Sequence, residues 1–314
     1  MASIRGRILR WLVKKVAAKG TTSKKDIAVQ RGEMEQRMAR IKVPKNVAVQ
    51  KVDCNGIPGE WFLPRGMIGN RTLMYCHGGG YYNGSLATHR AFVARLAEIS
   101  RARALHFAYR LAPEHPFPAG VDDCLAVYRW LLATGVDPGS LMIAGESAGG
   151  NLVLTTLLGA RAADVPLPAG AICISPHFDF TFSLPSIREN AASEVLYTLE
   201  ELEWMRGIYL GDAAGDVALW RHERVSPVWA DLSGLPPLSL HADSTEMLRD
   251  DAVTLAQRVR DVGGSVELKV WRGLFHAFPL VSMIPESGEA LREMAAFMDR
   301  HWKKMGSGGL PPGF

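Results

Sequence analysis

Apolar residues along this chain follow two alternating rhythms. Short apolar runs at 72–76, 104–109, 141–144, 171–175, 238–241 and 266–271 read as buried strands. Between them, segments 90–100, 121–132, 151–161 and 251–262 carry apolar positions at helical spacing. Strands alternating with helices predict an α/β fold, a mostly parallel central sheet with helices on both faces. The rhythm begins near residue 47. Upstream, Ile4, Ile8, Leu9, Leu12, Val13 and Val16 have helical spacing, and 27–43 reads as a second helix closed by Pro44. Residues 181–222 break the rhythm with a polar loop and a helical patch around 199–210. An insertion there sits above the strand ends, where α/β sheets place their ligands. Residues 306–314 (GSGGLPPGF) read as a flexible tail.

Composition narrows the class. The chain has 314 residues, 47% of them hydrophobic and 22% charged, enough apolar material for a full core. It contains no run of about 18 apolar residues, so no transmembrane helix is expected. Cys54, Cys76, Cys124 and Cys173 lie far apart without a CxxC pair, a pattern of reduced buried thiols rather than a disulfide framework or zinc site. The basic N-terminus lacks a continuous apolar core and a small-residue cleavage site, so no secretory signal is expected and a cytoplasmic location is the default.

Charge is unevenly placed. Of the 36 Lys and Arg, eight lie in residues 1–25 (Arg5, Arg7, Arg10, Lys14, Lys15, Lys19, Lys24, Lys25), with no acid among them. The remaining 28 face 32 Asp and Glu, leaving the rest of the chain at −4. The overall positive charge therefore reports one arm, and no nucleic-acid partner is expected. A basic amphipathic helix can lie on an anionic membrane surface. The simpler expectation is that its apolar stripe packs on its own body or on a partner subunit.

Candidate chemistry centres on Gly145-Glu146-Ser147-Ala148-Gly149. This G-x-S-x-G string follows a predicted strand and precedes a predicted helix, the setting a nucleophile elbow requires. Glycines on either side let strand and helix close up around a strained serine. Ser147 would then stand at a helix N-terminus, where developing negative charge is favoured. His77-Gly78-Gly79-Gly80 directly follows the strand at 72–76. Acyl transfer passes through an oxyanion that needs backbone N–H donors free of competing side chains. Gly78 and Gly79, together with Ala148, are the expected donors. Neither a P-loop nor a dinucleotide fingerprint fits this glycine run.

These motifs, their order and their separation resemble the hormone-sensitive-lipase-like branch of the α/β-hydrolases. Further similar stretches are Tyr109-Arg110-Leu111-Ala112-Pro113-Glu114, Pro118-Ala119, Asp122-Asp123, Ser175-Pro176, Ser226-Pro227 and Asp231-Leu232-Ser233-Gly234-Leu235-Pro236-Pro237. The resemblance runs from about residue 45 to 300 and implies an α/β-hydrolase fold with a helical cap. The division it implies is N-terminal cap helices and basic arm over 1–45, a catalytic domain over 46–180 and 223–305, a cap insertion over 181–222, and the tail. Dimers are usual in the resembled family.

In this fold the triad order is Ser, acid, His. His276 is the late histidine in a loop after a predicted strand, and Gly273-Leu274-Phe275-His276-Ala277-Phe278 resembles the family's G-x-x-H-x-F. His301 reads as a surface residue of a terminal helix, and His77 as a brace for the glycines. The acid belongs after the strand at 238–241, where Asp243, Glu246, Asp250 and Asp251 are candidates. Matched to the family segment, Glu246 takes the acid position, with Asp243 the fallback and Asp250 and Asp251 starting the next helix.

The expected reaction is hydrolysis of a small-molecule ester through an acyl-enzyme, with no metal and no cofactor. Tyr81, Tyr82, Asn83, His177, Phe178, Leu210 and Phe278 are candidate pocket residues, each equally able to be plain core. Together they suggest an apolar pocket for short acyl groups or small cyclic and aryl esters. Amide, carbamate or lactone hydrolysis on the same triad is the alternative. A non-catalytic small-molecule receptor is a remote one, because such receptors typically lose the histidine. A membrane-bound lipase would gain support from the basic arm, but no long apolar lid is evident.

Overall fold

The computed structural model describes residues 2–17 and 26–302; the expected tail at 306–314 lies outside the described residues. Two helices open the chain, α1 (Ile4–Ala17) and α2 (Ile27–Met38). The Asp26 side chain caps α2 by accepting from the N–H groups of Ala28 and Val29. α2 stops at Met38, short of the predicted 27–43. An antiparallel hairpin follows, β1 (Val47–Asp53) and β2 (Pro58–Pro64), in register from Val47↔Pro64 to Asp53↔Pro58. None of the predicted strands corresponds to it, because β1 is mostly exposed and lacks a long apolar run.

The alternating region is close to its prediction. It holds β3 (Thr72–Cys76), α3 (Leu86–Ser100), β4 (Arg103–Phe107), α4 (Ala119–Ala133), β5 (Leu141–Glu146), α5 (Ala148–Ala162) and β6 (Gly170–Ile174). Residues 181–222 contain α6 (Ser186–Glu189), α7 (Leu199–Leu210) and α8 (Val217–Trp220). The chain then forms β7 (Leu238–Asp243), α9 (Arg249–Asp261), β8 (Val266–Trp271) and α10 (Pro285–His301).

All eight strands join one sheet in the order β1-β2-β4-β3-β5-β6-β7-β8. The hairpin is antiparallel, and every pairing from β4 to β8 is parallel. Strand side chains alternate between faces, and the core divides accordingly. Met74, Cys76, Leu141 and Ile143 pack with α4, α5 and α9 on one face. Leu73, Tyr75, Met142 and Ala144 pack with α3 and α10 on the other. All four cysteines are buried and unpaired. β8 corrects one expectation: it is an edge strand whose residues alternate between half-buried and exposed, with Glu267 and Lys269 outward.

The central strands come unusually close to the helix that follows β5. A Cβ on Gly145 would lie 2.4 Å from the Gly149 carbonyl oxygen, and one on Gly149 would lie 2.0 Å from the Cys76 carbonyl oxygen. Only glycine lets β3, β5 and the start of α5 meet here. Gly149→Ala is therefore expected to prevent folding or to lower stability by about 3 kcal/mol or more, read from urea unfolding midpoints. A wild-type midpoint would contradict this packing.

Candidate active site

Ser147 sits between the last residue of β5 and the first of α5, at φ 54° and ψ −121°. Such left-handed backbone is costly for a residue with a Cβ and persists only where the surroundings enforce it. They do. Ser147 N–H donates to Ile174 O at 2.9 Å, and Ser147 O accepts from Gly150 N–H at 3.0 Å and His177 N–H at 3.2 Å. The buried Asn151 amide then donates to the carbonyls of His177 and Val225, tying α5 to the loop after β6. Ala148, in the first turn of α5, belongs to the N–H groups that have no acceptor within their own helix.

The glycine loop after β3 requires a correction. Gly78 N–H does not face the cavity; it donates to the buried Glu146 Oε1 at 2.5 Å. A Cβ on Gly78 would lie 2.7 Å from that same oxygen. Gly79 and Gly80, at φ 112° and 62°, border the cavity instead. Glu146 also accepts from the Tyr75 hydroxyl and approaches His89 Nε2 at 2.8 Å. Burial alone would raise the Glu146 pKa, but His89, Tyr75 and the Gly78 N–H outweigh it and hold the carboxyl below its ordinary value. His77 braces the loop as expected: its Nδ1 lies 2.7 Å from Gly78 O, and Tyr109 OH donates to its carbonyl at 2.8 Å. Burial lowers the His77 pKa to about 3, so its ring is neutral.

His276 and Glu246 come together from the loops after β8 and β7. His276 Nδ1 lies 2.9 Å from Glu246 Oε2. Glu246 Oε1 accepts from Ser175 Oγ and from Asp243 N–H, each at 2.7 Å. Asp243, the fallback acid, is engaged elsewhere. Its carboxylate accepts from Thr245 N–H and Oγ1 and from Leu274 N–H, clamping the histidine loop. Asp250 and Asp251 do begin α9, but they also tether: Asp250 accepts from Ser186 N–H, and Asp251 from Phe178 and Asp179 N–H.

Three residues at the site escaped sequence reasoning. Ser175, besides bonding Glu246, accepts from Ala277 N–H at 3.0 Å, so one hydroxyl spans the acid and base loops. Tyr197 OH lies 3.1 Å from His276 Nδ1, and burial, with the nearby Glu194 and Glu246 carboxylates, raises the phenol pKa. Glu194, buried, accepts from Val195, Leu196 and Met247 N–H, joining the 181–222 insertion to the acid loop. No spacing rule marks these three; the Ser175-Pro176 likeness was the one available signal. Burial would lower the His276 pKa, yet contact with Glu246, aided by Glu194 and Glu146, outweighs it and raises the imidazole above its ordinary value.

Ser147 and His276 line one cavity of about 270 Å³, with Gly79, Gly80, Tyr82, Asn83 and His177. Met34 of α2 and Leu202, Trp204 and Met205 of α7 add apolar wall. Four candidate pocket residues are instead core. Tyr81 stacks on Tyr209 at 3.8 Å, Phe278 packs edge-on against Trp271, and Phe178 and Leu210 are buried in the cluster beneath α5. Tyr81 and Phe178 each adjoin a lining residue, but neighbours in sequence point different ways. His177 Nε2 is buried without a protein partner, and burial lowers its pKa to about 3. Among the described residues, no group of three or more His, Cys, Asp or Glu could hold a metal ion.

Residues 73–280 match the family described as alpha/beta hydrolase fold. The chain is 37% identical over 265 residues to an acetyl-hydrolase of Streptomyces hygroscopicus, covering 84% of this chain and 86% of that one. It is 33% identical over 259 residues to an esterase of Acinetobacter venetianus, covering 81% and 83%. Among solved structures, EstE5 soaked with p-nitrophenyl butyrate superposes with a TM-score of 0.88 at 35% identity, covering 96% of this chain and 99% of that one. An esterase from the bacterial hormone-sensitive lipase family gives 0.89 at 32% identity, covering 96% and 100%.

The carboxylates around His276 make its titration a direct probe of this geometry. Glu194→Gln is expected to lower the His276 midpoint by about half a pH unit or more, followed by NMR of the ring proton. An unchanged midpoint would show that Glu194 carries no charge felt by the ring.

Proposed function

The chain belongs to the α/β-hydrolase family, in its hormone-sensitive-lipase-like branch, and is a carboxylic ester hydrolase; we propose that Ser147, His276 and Glu246 carry its chemistry through an acyl-enzyme. The observation that carries this reading is the sharing of one cavity by Ser147 and His276, with Glu246 holding the far nitrogen of the ring at 2.9 Å. With Nδ1–H donated to Glu246, Nε2 is left as the acceptor. It takes the Ser147 proton as Oγ attacks the ester carbonyl, and the alcohol leaves with that proton. A water, deprotonated by the same nitrogen, then releases the acid. The oxyanion is met by Gly79, Gly80 and Ala148 N–H, since Gly78 N–H is spent on Glu146.

A cavity near 270 Å³ lies just below the usual range for drug-sized ligands, roughly 300–1,000 Å³, and fits a short acyl chain or a small cyclic or aryl ester. The relative named acetyl-hydrolase points the same way. His177 Nε2, unpartnered at the wall, is placed to meet a polar atom of the substrate. α2 and the 181–222 insertion act as the cap. Arg31 fastens α2 to the oxyanion loop by donating to Tyr82 O at 2.7 Å and Ala112 O at 2.8 Å, while α7 supplies the apolar wall.

The test is hydrolysis of a p-nitrophenyl ester series by the wild type, Ser147→Ala and Glu246→Ala. Activity is expected to peak at acetyl to butyryl and to fall by about 10⁴-fold or more in Ser147→Ala and by a comparable order in Glu246→Ala. Near-normal turnover in Glu246→Ala would remove it from the triad, and turnover by Ser147→Ala would overturn the mechanism.

A further inference from the structure

α1 has two apolar stripes rather than one. Its inner stripe is docked: Leu9 and Val13 pack against the core beside α10, and Gly6 is buried so tightly that a Cβ there would lie 2.9 Å from Leu274 Cδ2. Polar contacts fix the helix in place. Ser3 donates to Glu286 through N–H at 2.5 Å and Oγ at 3.1 Å, and Arg10 donates to Ser193 O at 2.5 Å. Packing on the body, the simpler of the two expectations for this arm, is therefore what the inner stripe does.

Among the described residues, the outer stripe has no such partner. Ile4 is 72% exposed, Ile8 54%, Trp11 54% and Leu12 44%, and their spacing places them on the face opposite Gly6, Leu9 and Val13. Exposed Arg5, Arg7, Lys14 and Lys15 flank or overlie this stripe, with Lys15 Nζ 4.0 Å above the Trp11 ring. Residues 1–25 carry eight bases and no acid. A second copy meeting this face through a two-fold axis would bring two such helices together, cation against cation. An apolar stripe rimmed by like charges, with tryptophan on it, suits the boundary of an anionic bilayer.

We propose that the outward face of α1 docks the protein onto an anionic lipid surface. α1 has 14 residues, and no helix among the described residues is long and apolar enough to cross a membrane, so the contact is interfacial. The helix adjoins Leu274 and Ser193, which belong to the loop bearing His276 and to the insertion bearing Glu194. Docking there would hold the catalytic loops beside esters dissolved in lipid. The surface itself does not depend on the catalytic reading.

The experiment is flotation of the full chain with vesicles of equal phosphatidylcholine and phosphatidylglycerol, against vesicles of phosphatidylcholine alone. The wild type is expected to float with the anionic vesicles, with at least about tenfold weaker partition to neutral ones and in an Ile8→Ser/Trp11→Ser variant. Arg7→Glu/Lys14→Glu, which leaves the apolar stripe intact, should lose binding by a similar factor. Hydrolysis of a water-soluble short ester should be unchanged in both variants. No flotation of the wild type, or equal flotation of both variants, would overturn the proposal. So would a dimer that dissociates in Ile8→Ser/Trp11→Ser, since it would assign the stripe to a second copy.

Discussion

The site depends on one constraint, the approach of three backbone segments around Ser147. β3, β5 and the first turn of α5 meet at contact distances that exclude a Cβ at Gly145 or Gly149. That closeness forces the reversal from strand to helix into a single residue, which takes φ 54°. The strain is held by hydrogen bonds to β6 and the loop after it, so it is set by the sheet and not by the serine. The result is a side chain raised at a helix N-terminus, beside the glycine loop that follows the neighbouring strand.

Around this turn the chain solves a charge problem. Glu146, Glu246, Glu194, Asp243 and Asp251 are all buried, and isolated carboxylates in such a place are costly. Each is met by several donors. Glu146 holds Gly78, Tyr75 and His89; Glu246 holds Ser175, Asp243 N–H and His276; Asp251 holds Phe178 and Asp179 N–H. The same contacts that satisfy the acids fix the loops that carry Glu246 and His276. Positioning and desolvation are therefore one device here, and His276 gains basicity from it.

Where function was written locally, the sequence could be read. The elbow is a string of five residues whose glycines report their own packing, and the alternation of apolar runs reports the parallel sheet. The pairing of His276 with Glu246 is not local; loop order narrowed it, and family likeness chose among four acids. Reading failed where direction mattered. A run of three glycines does not tell which N–H is consumed by a buried acid: the Gly78 N–H is, while Gly79 and Gly80 border the cavity. Phe178 and Tyr81 flank lining residues and turn into the core. Ser175, Glu194 and Tyr197 act through contacts 53 to 102 residues apart in sequence and belong to no motif. β1 has no predicted counterpart, and β8 has its expected bounds but not its expected burial, because edge strands show water one face and lose the continuous apolar run.

The central claim is that Ser147 is the nucleophile and His276 its base. Intact mass spectrometry after a fluorophosphonate, with the modified peptide sequenced, tests it most directly. The account predicts one adduct per chain, on Ser147, formed at least about 10³-fold more slowly in His276→Ala. A folded wild type that takes no label, or carries it on another residue, would contradict it.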